Sequence, residues 1–194
     1  MRHRLPALAA AGALLLGGCG AGDAAPRRPS GEGTATTAPA GTFNDTDVMF
    51  LQMMVSHHGE GLEMVRLAGE RATRTDVRTL AGAIETSETA EVDTMTAWLR
   101  ARGEPTTADP NPSMHAGHGA TVAGGPARIA SLRQAPAADF DHTFLNLLIG
   151  HQHNAVELAR MELASGANPE VKALAKRIDE SRRAQISLML RYLG

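Results

Sequence analysis

The sequence predicts an all-α protein: a four-helix bundle made of two tandem helical hairpins. Three observations predict it. Aromatic residues make up 3% of the 194 positions while hydrophobic residues make up 43%. A core can form, but without the aromatic complement that β-sandwiches and barrels use. Apolar residues recur at helical spacing over two long segments, about 45–102 and 139–193. Finally, sliding the chain on itself by 94 residues gives an ungapped match. Asp47 falls on Asp141, Phe50 on Phe144, Leu51 on Leu145, His57 on His151, Glu63 on Glu157, Ile84 on Ile178, Ser87 on Ser181 and Met95 on Met189. Self-similarity of that kind signals an internal duplication, each copy sized for one hairpin.

The elements follow in order. Residues 1–18 read as a signal peptide: Arg2 and Arg4, then a short apolar run, then Gly17-Gly18 before Cys19. Small residues before a lone cysteine resemble the lipobox of bacterial lipoproteins, in which lipid is attached to the cysteine. Residues 19–42, rich in Gly, Ala, Pro and Thr, are expected to be a disordered tether from that lipidated Cys19. The bundle domain is then 43–194, with repeat one at 43–102, a loop region at 103–136 and repeat two at 137–194. Four helices are expected at about 45–72, 76–102, 139–165 and 169–193. Asn168-Pro169-Glu170 supplies an N-cap, a proline at the first helical position and an acidic first turn. In copy one Thr73 or Thr75 is the expected cap. Gly103 and Pro105 stop the second helix. Pro126 to Ala135 adds a short helix through Ile129 and Leu132.

Composition narrows the function. A net charge of −2 offers no basic field for nucleic acid. One cysteine excludes a disulfide framework and any cysteine-only zinc site. Eight His and nine Met are present in a chain with one Trp, one Tyr and one Cys. No Glu is followed by His three residues later, as di-iron carboxylate oxidases require. No Gly-x-Ser-x-Gly elbow or phosphate-binding loop is present. The chain is therefore not expected to be an enzyme.

The apolar stripe of the first helix runs Phe50, Met53, Met54, His57, Gly61, Met64, and the third helix repeats it as Phe144, Leu147, Leu148, His151, Ala155, Leu158. His57 and His151 therefore face the interior. His58 flanks the stripe, with Met54 four residues before it, and imidazole plus thioether suits copper. Hairpin geometry sets His57 level with Ser87, Glu88 and Glu91, and His151 level with Ser181 and Gln185. Glu91 is expected to orient an imidazole from behind, as carboxylates do at metal sites. His142 and His153 should face outward, where only a second subunit would use them. Met114, His115 and His118 in the long loop form a further candidate for a soft cation. Metal binding should weaken as pH falls through roughly 6.5, because a ligating imidazole must be neutral.

The run Asp47 to Met64, with Met53-Met54-Val55-Ser56-His57-His58, resembles the bacterial family called domain of unknown function 305. So do Phe140 through Ala159 and the second helix ending Glu91 to Leu99. The resemblance implies a ferritin-like four-helix fold, often secreted, lipidated or membrane-attached, with copper binding or tolerance among its members. Met54, His57, His58 and His151 match its motif positions. Gly61 stands where Ala is usual, Leu148 where Met is common, and Gln152 where a second His is common. The expected protein is thus an extracytoplasmic lipoprotein that binds a soft transition metal, most readily copper, for sequestration or tolerance. It is held to the outer face of the membrane by the lipid alone and is capable of forming a homodimer. The competing expectation is a non-catalytic structural or interaction domain whose histidines are core anchors.

Overall fold

The computed structural model describes residues 39–107 and 125–194. The described chain is all-helical: α1 (Asp45–Arg71), α2 (Thr75–Ala101), α3 (Gly125–Gln134), α4 (Phe140–Ser165) and α5 (Pro169–Leu193). α1 packs on α2 and α4 on α5; α1 against α4 joins the hairpins, and α3 rests across α1 and α4. The duplicated four-helix architecture is the expected one.

Local chemistry sets the boundaries. Asn44 and Asp47 form a reciprocal capping box at the start of α1. Asn168 accepts from the amides of Glu170 and Val171, ahead of Pro169. Gly103, at φ +73°, ends α2 in the left-handed region that favours glycine. One expected cap is corrected. Arg74, not Thr73 or Thr75, is the N-cap of α2, and it makes no side-chain cap bond. Thr73 is drawn away because its hydroxyl donates to Asp141 at 2.6 Å.

That bond belongs to a reciprocal clamp. Asp141 accepts the amides of Thr73 and Arg74, in the α1–α2 turn. Asp47 accepts the amides of Ala167 and Asn168, in the α4–α5 turn. Asp47 and Asp141 thus each satisfy the turn amides of the other copy, at positions related by the same offset of 94. α3 is fixed differently: the Arg71 guanidinium donates to the carbonyls of Leu132, Arg133 and Ala135 at its C-terminal end.

The apolar core forms two clusters. One contains Met64, Val65, Val77, Ile84, Phe140, Phe144 and Met189. The other contains Phe50, Met53, Met54, Met95, Trp98, Leu158 and Ile178. Each fully buried side chain of this size contributes roughly 1.5–3 kcal/mol. Between these clusters the helices carry a layer of buried polar side chains.

Candidate metal centre

The layer is built from repeat-equivalent positions. His57 and His151 are buried, as their stripes require. Their rings stack at a centroid distance of 3.7 Å and an interplanar angle of 15°. His57 Nε2 lies 3.1 Å from the carbonyl oxygen of His151. A carbonyl only accepts, so Nε2 carries the proton and Nδ1 keeps its lone pair. That Nδ1 is buried and partnerless.

His58 is fully buried, more deeply than its flanking position implies. Its Nε2 lies 2.7 Å from Glu91 Oε2. The carboxylate accepts that proton, and again Nδ1 is left buried without a partner. Arg182 Nη2 lies 3.2 Å from the same ring nitrogen and donates to Glu91 Oε2. Two imidazoles are thus held from behind, one by a backbone carbonyl and one by a carboxylate, with the opposite nitrogen free. Ligating histidines are oriented in this way.

Copy two answers with neutral groups. Gln152, at the position of His58, donates to Gln185 at 3.0 Å, and Gln185 stands at the position of Glu91. Gln152 also donates to Glu88 Oε1 at 3.2 Å. Glu88 and Arg182 occupy equivalent positions, are both fully buried, and lie 3.5 Å apart as an ion pair.

Burial sets the protonation of the rings. It pushes His57 well below the ordinary imidazole range, helped by the neighbouring His151 and His58. It pushes His151 to about 3, aided by the charge of Arg128. Both rings are therefore neutral far into acid. The expected loss of ligating capacity near pH 6.5 is corrected downward for these two rings, because desolvation opposes the imidazolium.

The remaining candidates are placed as follows. Met54 is fully buried in the apolar cluster with Met53, Met95 and Trp98. His142 and His153 are exposed. Glu157 is exposed, and the half-exposed Glu63 pairs with Arg133 on α3. Cys19, Met114, His115 and His118 lie outside the described residues. Among the described residues, no three His, Cys, Asp or Glu side chains converge on one point. The stack explains part of this. Rings stacked nearly parallel do not turn their nitrogens toward a common point, so His57 and His151 would not readily hold one ion together.

A family model, Domain of unknown function (DUF305), matches residues 47–193. The chain belongs to this family. The DUF305 fragment from Deinococcus radiodurans is 30% identical, covering 79% of this chain and 99% of that one, with a TM-score of 0.68. A putative secreted DUF305 protein from Streptomyces coelicolor is 24% identical over 74% of this chain and 89% of its own, also at 0.68. CopM in its Cu(I)-bound form is 23% identical over 77% of this chain and 96% of its own, with a TM-score of 0.61. Among curated proteins nothing matches the chain.

Two members of the DUF305 layer escaped the sequence reading in part or whole. Glu88 appeared there only as a neighbour of His57, and Arg182 did not appear. The signal for Arg182 was present: Ile178, Arg182, Ile186 and Met189 lie on one helical stripe, so an arginine stands where core residues are due.

Proposed function

We propose that this DUF305 chain binds copper outside the cytoplasm and withholds it, as a sequestration or tolerance protein. The observation that carries the reading is the pair of buried imidazoles of His57 and His58. Each has its Nε2–H committed to a fixed acceptor and its Nδ1 lone pair left without a partner. Buried polar atoms without partners are costly unless a ligand or water completes them. Imidazole nitrogens suit copper, and Met54 and the loop residues Met114, His115 and His118 add soft donors by their chemistry. The structural likeness to CopM, captured with Cu(I), Cu(II) and Ag, supports the choice of metal. The likeness to a secreted relative supports an extracytoplasmic place. Cys19 would carry the lipid, and no described helix is long and apolar enough to cross a membrane.

Competition titration of the full chain with Cu(I) and Cu(II) tests this. A His57→Ala/His58→Ala double variant should bind at least about tenfold more weakly than the parent. Equal binding by the two would overturn a core site.

A second reading has its own observation. The layer is extensively paired within itself, with no three-donor cluster among the described residues. On that reading the histidines are anchors that keep the hairpins in register. It gains if His57→Gln preserves the melting temperature and copper leaves that temperature unchanged in both proteins.

A further inference from the structure

Gly61 lies on the buried stripe of α1, where copy two has Ala155. A Cβ at Gly61 would stand 2.5 Å from Glu88 Oε2 and 2.8 Å from His151 Nε2. Both approaches are closer than a real Cβ tolerates. The missing side chain is therefore what lets these two atoms approach one point beside the α1 backbone.

Both atoms are fully buried, and neither has a hydrogen-bond partner. Glu88's other oxygen is occupied: Oε1 accepts from Gln152 and faces Arg182. The carboxylate is thereby turned, with Oε2 left toward the imidazole. Gln152 Oε1 is a further buried oxygen without a partner. The ionic groups of the layer do not balance either. Glu88 and Glu91 share the single guanidinium of Arg182. One formal negative charge is left over in a place where uncompensated charge is expensive.

We propose that Glu88 Oε2 and His151 Nε2 form a buried nitrogen–oxygen donor pair for one Cu(II) ion, kept open by the absent side chain at Gly61. This rests on the copper reading above and adds to it a donor, Glu88, and an oxidation state. Imidazole nitrogen with carboxylate oxygen is a donor set suited to Cu(II), whereas thioethers select Cu(I). The residual negative charge favours a cation here. The pair is separate from the Nδ1 atoms of His57 and His58.

The test is Cu(II) binding by the full chain, followed by titration and electron paramagnetic resonance, with Cu(I) titrated separately. Gly61→Ala places a methyl 2.5 Å from Glu88 Oε2, too close for both to keep their places, and alters no charge. It should lower Cu(II) affinity by about tenfold or more and change the spectrum, while Cu(I) affinity stays within about threefold. Glu88→Gln should act in the same direction. Gly59→Ala, on the same helix with open space around its Cβ position, should change neither affinity. Should Glu88→Gln fail to fold, Gly61→Ala against Gly59→Ala decides alone. If the parent binds Cu(II) and neither variant weakens it, the ion sits elsewhere and the pair is overturned while the copper reading stands. A parallel loss of Cu(I) and Cu(II) affinity in Gly61→Ala would reduce Gly61 to packing and overturn the pair. If the parent binds neither ion, the pair and the copper reading fall together.

Discussion

The two hairpins agree where they hold the fold and differ where they meet in the polar layer. Asp47 and Asp141 clamp each other's turns through the same pair of positions. His57 and His151 stack face to face. Around that stack, copy one has His58 on Glu91 and copy two has Gln152 on Gln185. One contact is made twice, once with ionisable groups and once with amides. Glu88 in copy one faces its equivalent, Arg182, in copy two. The comparison teaches that hydrogen-bond geometry is satisfied by either chemistry. The two carboxylates of the layer, Glu88 and Glu91, both stand in copy one, while unpartnered buried ring nitrogens occur in both copies.

The largest way to break this division is at Arg182. Replacing it with Met leaves Glu88 and Glu91 sharing no cation inside the core. Removing one partner of a buried ion pair costs about 3–5 kcal/mol, which denaturant titration should register as a lower midpoint.

The division sharpens with matched variants of the second-layer contact. Glu91→Gln makes copy one resemble copy two and should weaken copper binding about 10–100-fold, the usual effect of losing the group behind a ligating histidine. Gln185→Ala, at the equivalent position, should change copper affinity by less than about threefold. Similar losses from both would erase the distinction between copies.

Glu162 has no counterpart, since Ala68 holds its place in copy one. Burial, reinforced by the carboxylate of Asp47, raises its pKa to about 8. Its folded pKa thus exceeds its unfolded one. The contribution to stability is complete below about pH 4.5 and is lost as pH rises toward and through 8, at up to about 1.4 kcal/mol per pH unit. Burial sends His151, and His57 with it, the other way. Their contribution is complete above about pH 6.5 and is lost as pH falls toward their depressed folded values. Stability measured against pH should therefore fall on both sides of mildly acid pH. Glu162→Gln should remove the alkaline decline and spare the acid one.

The smallest effect is expected at Gly59, which stands where copy two carries the exposed His153. Nothing lies within 4 Å of its Cβ position. Gly59→Ala should stabilise the bundle by roughly 0.5–1 kcal/mol through helix entropy alone, read as a rise in melting temperature.

Much of the fold was legible because periodicity and duplication are local signals. They placed four helices within a residue or two, set His57 and His151 inward, and put Glu91 beside an imidazole. The cap of α2 was misread because Thr73 answers to Asp141, a residue 68 positions away. The full burial of His58 and the role of Arg182 were not legible for a related reason. A helical stripe says which face is buried; it does not say which buried polar groups find each other.

The sequence by itself determined that two similar hairpins would pack with a histidine from each in the core, because repeated apolar spacing dictates a repeated buried face. Only the tertiary structure decided the state of those histidines. Stacking on a near-symmetric contact, donation to a carbonyl and a carboxylate, and the gap at Gly61 arise where four helices meet. There, desolvation and pairing between distant residues fix the protons and leave particular lone pairs free.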